Sequence, residues 1–324
     1  LKEWARSDAL WPDLAMLVVA GVVFGVRLLV VRTLDAPMWG DSYQHTMIAQ
    51  LMVDNGGLFE SWEPYVPLRS FTYHFGFHTA IAALHWLTRM TMAQTVLWGA
   101  QVLNGLAVLA LYTLAVRVSG NRWAGVGAVV AAGLLTPMPM RYVNWGRYTQ
   151  LAGQVVLPGA ALLSWRAFET RDRDWRMLVL AGLTVGGLAL THYRVLIFYV
   201  VFVVAWVVLS LGGGKWREKL ERVFWVGAGA AALFLPWFMH IFGGRILANL
   251  GHQLTTAPDQ ASSFAQQYNA IGSLTNYMGP AIWLLAAVGV AVGLWRRKRG
   301  VLLLATWFFL LFIATNPHLL RLPG

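Results

Sequence analysis

No cysteine occurs among the 324 residues, which excludes disulfides and thiolate zinc sites while leaving the compartment open. Charge is scarce too. Asp, Glu, Lys and Arg make up 12% of the chain, against roughly 25% in a soluble domain. With 58% hydrophobic residues, a soluble globule has no way to hide the apolar surface. Lipid can cover it, provided that every backbone polar group is satisfied within helices or a closed barrel. The alternation that marks barrel strands is missing, and the apolar runs are long and continuous, so helices are expected. Helix centres lack acidic residues, which speaks against an ordinary proton relay or cation pathway. Internal repeats of the kind that mark many transporters are also absent.

What is present is a series of spans. Nine stretches are apolar enough to cross: 12–34, 93–117, 123–138, 150–167, 177–192, 194–211, 223–242, 279–295 and 301–316. They predict an all-α, polytopic membrane protein of about nine transmembrane helices in one transmembrane domain, 1–324. The chain starts at Leu1 and its last stretch, Pro317 to Gly324, stops in mid-phrase, so it is read as a fragment of a longer chain and no signal peptide is assigned.

A tenth stretch, 71–89, carries His74, His78 and His85 and is assigned by charge. If it stays on the outer surface and Lys2 and Arg6 are cytoplasmic, 16 of the 25 basic residues lie inside, among them Arg117, Arg171, Arg173, Lys219 and Arg299. Eight lie outside: Arg32, Arg69, Arg89, Arg141, Arg147, Arg194, Arg245 and Arg321. Arg27 falls within the first helix, where a snorkelling side chain is expected. Were 71–89 to span, every later loop would change sides. The expected protein sits in the cell membrane with a cytoplasmic N-terminus. Its net charge of +11 is met by anionic lipid rather than by nucleic acid.

This topology has a second asymmetry. All eight histidines, His252 and His318 included, fall outside or at outer helix ends, with Asp35, Asp41, Asp54, Glu60, Glu63 and Asp259. Chemistry is therefore expected on the extracytoplasmic face, in outer loops 35–92, 137–150 and 243–278. In the first of these, Asp41 opens a helix whose Met47, Ile48, Leu51 and Met52 share one face, as in an interfacial helix. Asp41 with Gln44 reads as a capping-box variant, and a carboxylate held there near His45 is also placed to accept a proton. His74, His78, His85 and Arg89 are spaced along one helical stripe. It reads as a wet face, as a phosphate or sugar contact, or as a zinc pair at His74 and His78.

An Asp after the first transmembrane helix, amphipathic juxtamembrane helices and an arginine-bearing second outer loop together resemble the GT-C glycosyltransferases. Protein O-mannosyltransferases, aminoarabinose transferases and the catalytic subunit of oligosaccharyltransferase belong to that superfamily. The matching residues are Trp39-Gly40-Asp41-Ser42-Tyr43-Gln44-His45 and the run from Thr136 to Tyr148. The resemblance implies sugar transfer from a polyprenyl-phosphate donor to a protein, glycan or lipid acceptor at the outer membrane face. It places Asp41 and His45 at the catalytic position. Substrate contacts fall to His74, His78, Arg141, Asn144, Arg147, Tyr148, His192 and Arg194. Where many members carry a second acidic residue this chain has Ser42, and its second outer loop offers Asn144, Tyr148 and Gln150 rather than carboxylates. No metal site is assigned, a divalent cation stays open, and basic side chains are expected at the phosphate. A transporter or flippase, and a non-catalytic subunit keeping the same layout, are the rival classes.

Overall fold

The computed structural model describes residues 10–69, 71–170, 174–211, 214–242 and 277–316. Lys2, Arg6, Arg171, Arg173, Arg245, His252, Asp259, His318 and Arg321 lie outside the described residues, as does most of the expected loop 243–278.

Among the described residues the chain is helical: α1 (Leu10–Val31), α2 (Ser42–Asp54), α3 (Gly76–Thr88), α4 (Met92–Ser119), α5 (Arg122–Val130), α6 (Met140–Asn144), α7 (Tyr148–Glu169), α8 (Trp175–Thr191), α9 (Tyr193–Ser210), α10 (Trp216–Phe242), α11 (Pro280–Trp295) and α12 (Arg299–Ala314). A π-helical turn, Ala131–Leu135, follows α5.

Side chains define several starts. Thr91 accepts from Gln94 N, Asn121 from Trp123 N, and Asp174 from Arg176 N and Met177 N. Gly120, with φ at 73°, stops α4.

Among the described residues, five segments are long and apolar enough to cross a bilayer: Leu10–Val31, Met92–Ser119, Arg122–Asn144, Tyr193–Ser210 and Trp216–Ile241. Leu17, Val18, Leu29, Ile197, Phe224, Leu284 and Phe309 lie more than half exposed, an outside as oily as the inside. Water does not tolerate so much apolar surface, and hydrocarbon does. This is a helical membrane protein. Helices α8, α11 and α12 are apolar but shorter, at 17, 16 and 16 residues. At about 1.5 Å per residue they reach roughly 24–26 Å, short of the ~30 Å core.

The long helices run alternately between two ends of a bundle. At one end Arg117 of α4 meets Glu169 of α7 at 2.8 Å, and Arg122 of α5 meets Asp13 of α1 at 2.8 Å. At the other, the indole N–H of Trp237 in α10 donates to the Tyr193 hydroxyl of α9 at 2.8 Å. Central α7 packs against α4, α8 and α9, burying Ala160, Ala161 and Ser164. Helix α8 meets α10 along Gly182, Gly186 and Gly229, so close that a Cβ on Gly182 would lie 3.3 Å from Gly229 Cα. Small residues give such crossings their van der Waals contact.

Arg27 departs from the expected snorkelling. It is 1% exposed, and its guanidinium donates to the carbonyls of Val23 and Gly133, both at 3.2 Å. The wider π turn sets the Gly133 carbonyl where α1 can reach it.

Candidate functional site

Two short loops build the site, and both carry Trp-Gly. Trp39-Gly40-Asp41 leads into α2, and Trp145-Gly146-Arg147 leads into α7. Gly40 and Gly146 both take the left-handed backbone, with φ of 57° and 68°. The loops press face to face. Asp41 N donates to Trp145 O at 3.4 Å, and a Cβ on Gly146 would lie 2.5 Å from Ser42 N and 2.7 Å from Asp41 N. Nothing larger than hydrogen fits at either glycine.

The junction pairs equivalent positions of the two loops. Asp41 Oδ2 stands 3.6 Å from Arg147 Nε, both side chains still partly open to solvent. Ser42 Oγ and the Tyr148 hydroxyl share a hydrogen bond of 2.7 Å. Asp41 occupies the residue before α2 but makes no side-chain cap bond, so the expected capping box is not formed. Arg147 competes for its carboxylate instead.

Beneath this ion pair lies a layer of imidazoles and phenols. His45, 3% exposed, bonds through Nδ1 to Nε2 of His78 at 2.9 Å. Tyr73, Phe77 and Tyr148 surround the His45 ring with centroids 5.8–6.0 Å away. The His74 ring sits 3.9 Å from Tyr73 and 4.5 Å from His192, and neither of its nitrogens has a hydrogen-bond partner among the described residues. His192 precedes α9 and accepts from Val195 N at 3.3 Å.

Burial sets the protonation of this layer. It lowers His45 from 6.5 to about 4; Asp41 opposes that shift and Arg147 adds to it. Burial, helped by the neighbouring imidazoles and Arg194, takes His74 down to about 2. Burial and Arg194 bring His192 to about 4, and burial first of all lowers His78 as well. All four rings are therefore neutral at pH 7, and the formal charge at the surface rests with Asp41, Arg147 and the exposed Arg194.

An apolar cavity of about 500 Å³ adjoins the junction, bounded by Val31 of α1, Leu97 and Gln101 of α4, Asn144, Trp145 and Tyr148. Trp39 belongs to both cavity and loop. Trp145 and Tyr148, which line the cavity, flank Gly146 and Arg147 in sequence, so the ion pair stands next to an apolar slot.

Of the expected residues, Asp41, His45, His74, His78, Arg147, Tyr148, His192 and Arg194 come to one region. Asn144 lines the cavity, and Arg141 stands exposed on α6.

The helical stripe is corrected. Helix α3 starts at Gly76, so His74 precedes it, while His78 is 0% exposed and His85 turns to the Met90 carbonyl at 2.7 Å. Neither a wet face nor a His74–His78 zinc pair results. Among the described residues no group of three or more His, Asp or Glu is placed to hold a metal ion. The apolar face of α2 is also reassigned. Ile48, Leu51 and Met52 pack on Phe59, Phe71 and Trp237, so protein rather than lipid covers them.

Sequence reasoning missed Tyr73, Phe77 and Gly146. The signal for Gly146 was the repeated Trp-Gly pair, each followed by a charged residue of opposite sign at a helix start.

The fold defines the class, a polytopic helical membrane protein with a polar junction at one end of its bundle. The chain belongs to the family of unknown function DUF6541, whose profile matches residues 1–317. No curated protein matches it.

Proposed function

We propose that the protein is a membrane glycosyltransferase of GT-C type, using a polyprenyl-phosphate sugar donor at the extracytoplasmic face. The observation that carries this reading is the Asp41–Arg147 pair, joining the two outer loops beside an apolar cavity. Transfer needs a base for the acceptor and positive charge for the leaving phosphate. In this scheme the donor phosphate draws Arg147 away from Asp41, with Arg194 as a second cation. The freed Asp41 carboxylate takes the proton from the acceptor hydroxyl as its oxygen attacks the anomeric carbon. The sugar–phosphate bond breaks, and both electrons leave with the polyprenyl phosphate. His45 stays neutral, and His78 holds its ring in place.

The nine-crossing topology belongs to this reading. Arg117, Arg122, Arg166, Arg176, Lys215, Arg217, Lys219, Arg222 and Arg296 to Arg299 stand at the helix ends opposite Asp41, as a cytoplasmic end requires. The N-terminus is then cytoplasmic. The test is transfer from a radiolabelled polyprenyl-phosphate sugar in membranes holding the chain, normalised to folded protein. Counts passing into an acceptor fraction support the reading. If the wild type neither binds nor consumes such donors, the transporter or scaffold class takes its place.

A further inference from the structure

At the end of the bundle away from Asp41 a second cavity, of about 390 Å³, opens between α7, α9, α10 and α12. Its polar wall is Trp165, Glu169, Trp206, Ser210, Lys219 and Arg299, and leucines of α9 and α12 make the rest. Glu169 is already neutralised by Arg117 at 2.8 Å. Lys219 and Arg299, brought together from two helices, have no ion-pair partner among the described residues. Trp165 is 5% exposed, and its indole N–H lacks an acceptor among the described residues, while the Arg117 guanidinium covers its ring face at 5.0 Å. A buried donor without an acceptor is costly, and two uncompensated cations beside it ask for an anion rich in acceptor oxygens.

We propose that this cavity binds the phosphodiester headgroup of an anionic phospholipid in the leaflet at that end. The wall joins polar side chains to the leucines Leu209, Leu302 and Leu303, so a headgroup attached to acyl chains matches it better than a free anion does. Lys219 and Arg299 take the phosphate oxygens, Ser210 and the Trp165 indole offer further donors, and the leucines meet the first chain carbons. The site does not depend on the glycosyltransferase reading, because it uses none of the residues around Asp41.

The full chain in phosphatidylcholine nanodiscs doped with a photoreactive phosphatidylglycerol tests it. Cross-links should map to the last turn of α9 and the first turns of α10 and α12. Unlabelled phosphatidylglycerol should compete, while inorganic phosphate and phosphatidylcholine should not. Lys219→Gln combined with Arg299→Gln should lower labelling about tenfold or more, since each removes a charge-assisted contact. Lys219→Arg should keep it. Labelling mapped elsewhere, unchanged in the double variant, or displaced by inorganic phosphate overturns the proposal. If the double variant does not fold, the wild-type map and its competition profile still decide.

Discussion

At the residue scale the deciding pair is Asp41 and Arg147, and their roles separate by substitution. Because Asp41 makes no cap bond, Asp41→Asn should leave the melting temperature nearly unchanged. As the base of the proposed reaction it should cost roughly 10²–10⁴-fold in transfer rate. Arg147→Ala should instead raise the donor concentration needed for half-maximal rate. Full activity of Asp41→Asn would reduce this carboxylate to an ion-pair partner. The imidazole layer gives a second residue-scale prediction. Unfolding lets His45 take up a proton near pH 6.5, while the folded ring resists until about pH 4. Below pH 6.5 the unfolded state binds more protons, so stability falls with pH and is fully present only above that value. Between pH 7.5 and pH 5 this single ring should cost on the order of 1–2 kcal/mol, with His74, His78 and His192 acting in the same direction. Urea midpoints in detergent at the two pH values measure it. An acid-insensitive midpoint would mean that water reaches these rings.

At the element scale the sequence was a good guide wherever lipid imposes the rule. Long apolar runs had to be helices, because hydrocarbon offers the backbone no partner, and α1, α4, α9 and α10 lie where those runs predict. It was a poor guide wherever protein stands in for water. The faces of α2 and α3 are amphipathic by composition, yet α10 and the 55–69 segment cover the first and α4 and α7 the second, and a periodicity does not name its cover. Arg27 fails for the same reason, since one of its two acceptors is the Gly133 carbonyl, across from its own helix. For Asp41 and Arg147 the sequence led only to a cavity shared by the first outer loop and the 141–148 loop, not to a contact. The Trp-Gly pairs are what bring it to 3.6 Å. Gly146→Ala therefore tests the element junction. A left-handed backbone and a Cβ forced against Asp41 N should together cost about 1–3 kcal/mol, read as a lower melting temperature. Gly56 also takes positive φ, at 69°, but a Cβ there meets nothing within 4 Å. Gly56→Ala serves as the control and should lose less. Equal losses at both sites would leave backbone strain as the sole cause and remove the close contact from the account.

At the scale of the whole molecule, a chain without cysteine allows a direct test of orientation, because any introduced thiol is the only one. The alternation of helices puts Arg69, Arg89 and Arg194 at one end of the bundle, with Asp41, and Arg122, Arg176 and Arg296 at the other. Helix α3 is the pivot. Its 13 residues rise about 20 Å, too little for a ~30 Å core, and Phe77, His78, Ile81 and Ala82 are buried on neighbouring helices. In the proposed topology the ends of α3 open to the same compartment, and every later loop keeps the side assigned to it by charge. Single cysteines at positions 69, 89 and 194 should react with an impermeant maleimide added outside intact cells. Those at 122, 176 and 296 should react only after permeabilisation. Labelling of 69 and 89 from opposite sides would reverse the later loops and move Arg147 away from Asp41 across the bilayer. Labelling of all six in the opposite sense would keep the bundle and the ion pair intact but turn the site to the cytoplasm. A sugar donor would then have to be met on the inner face, and the proposed extracytoplasmic transfer would fall while the fold stood.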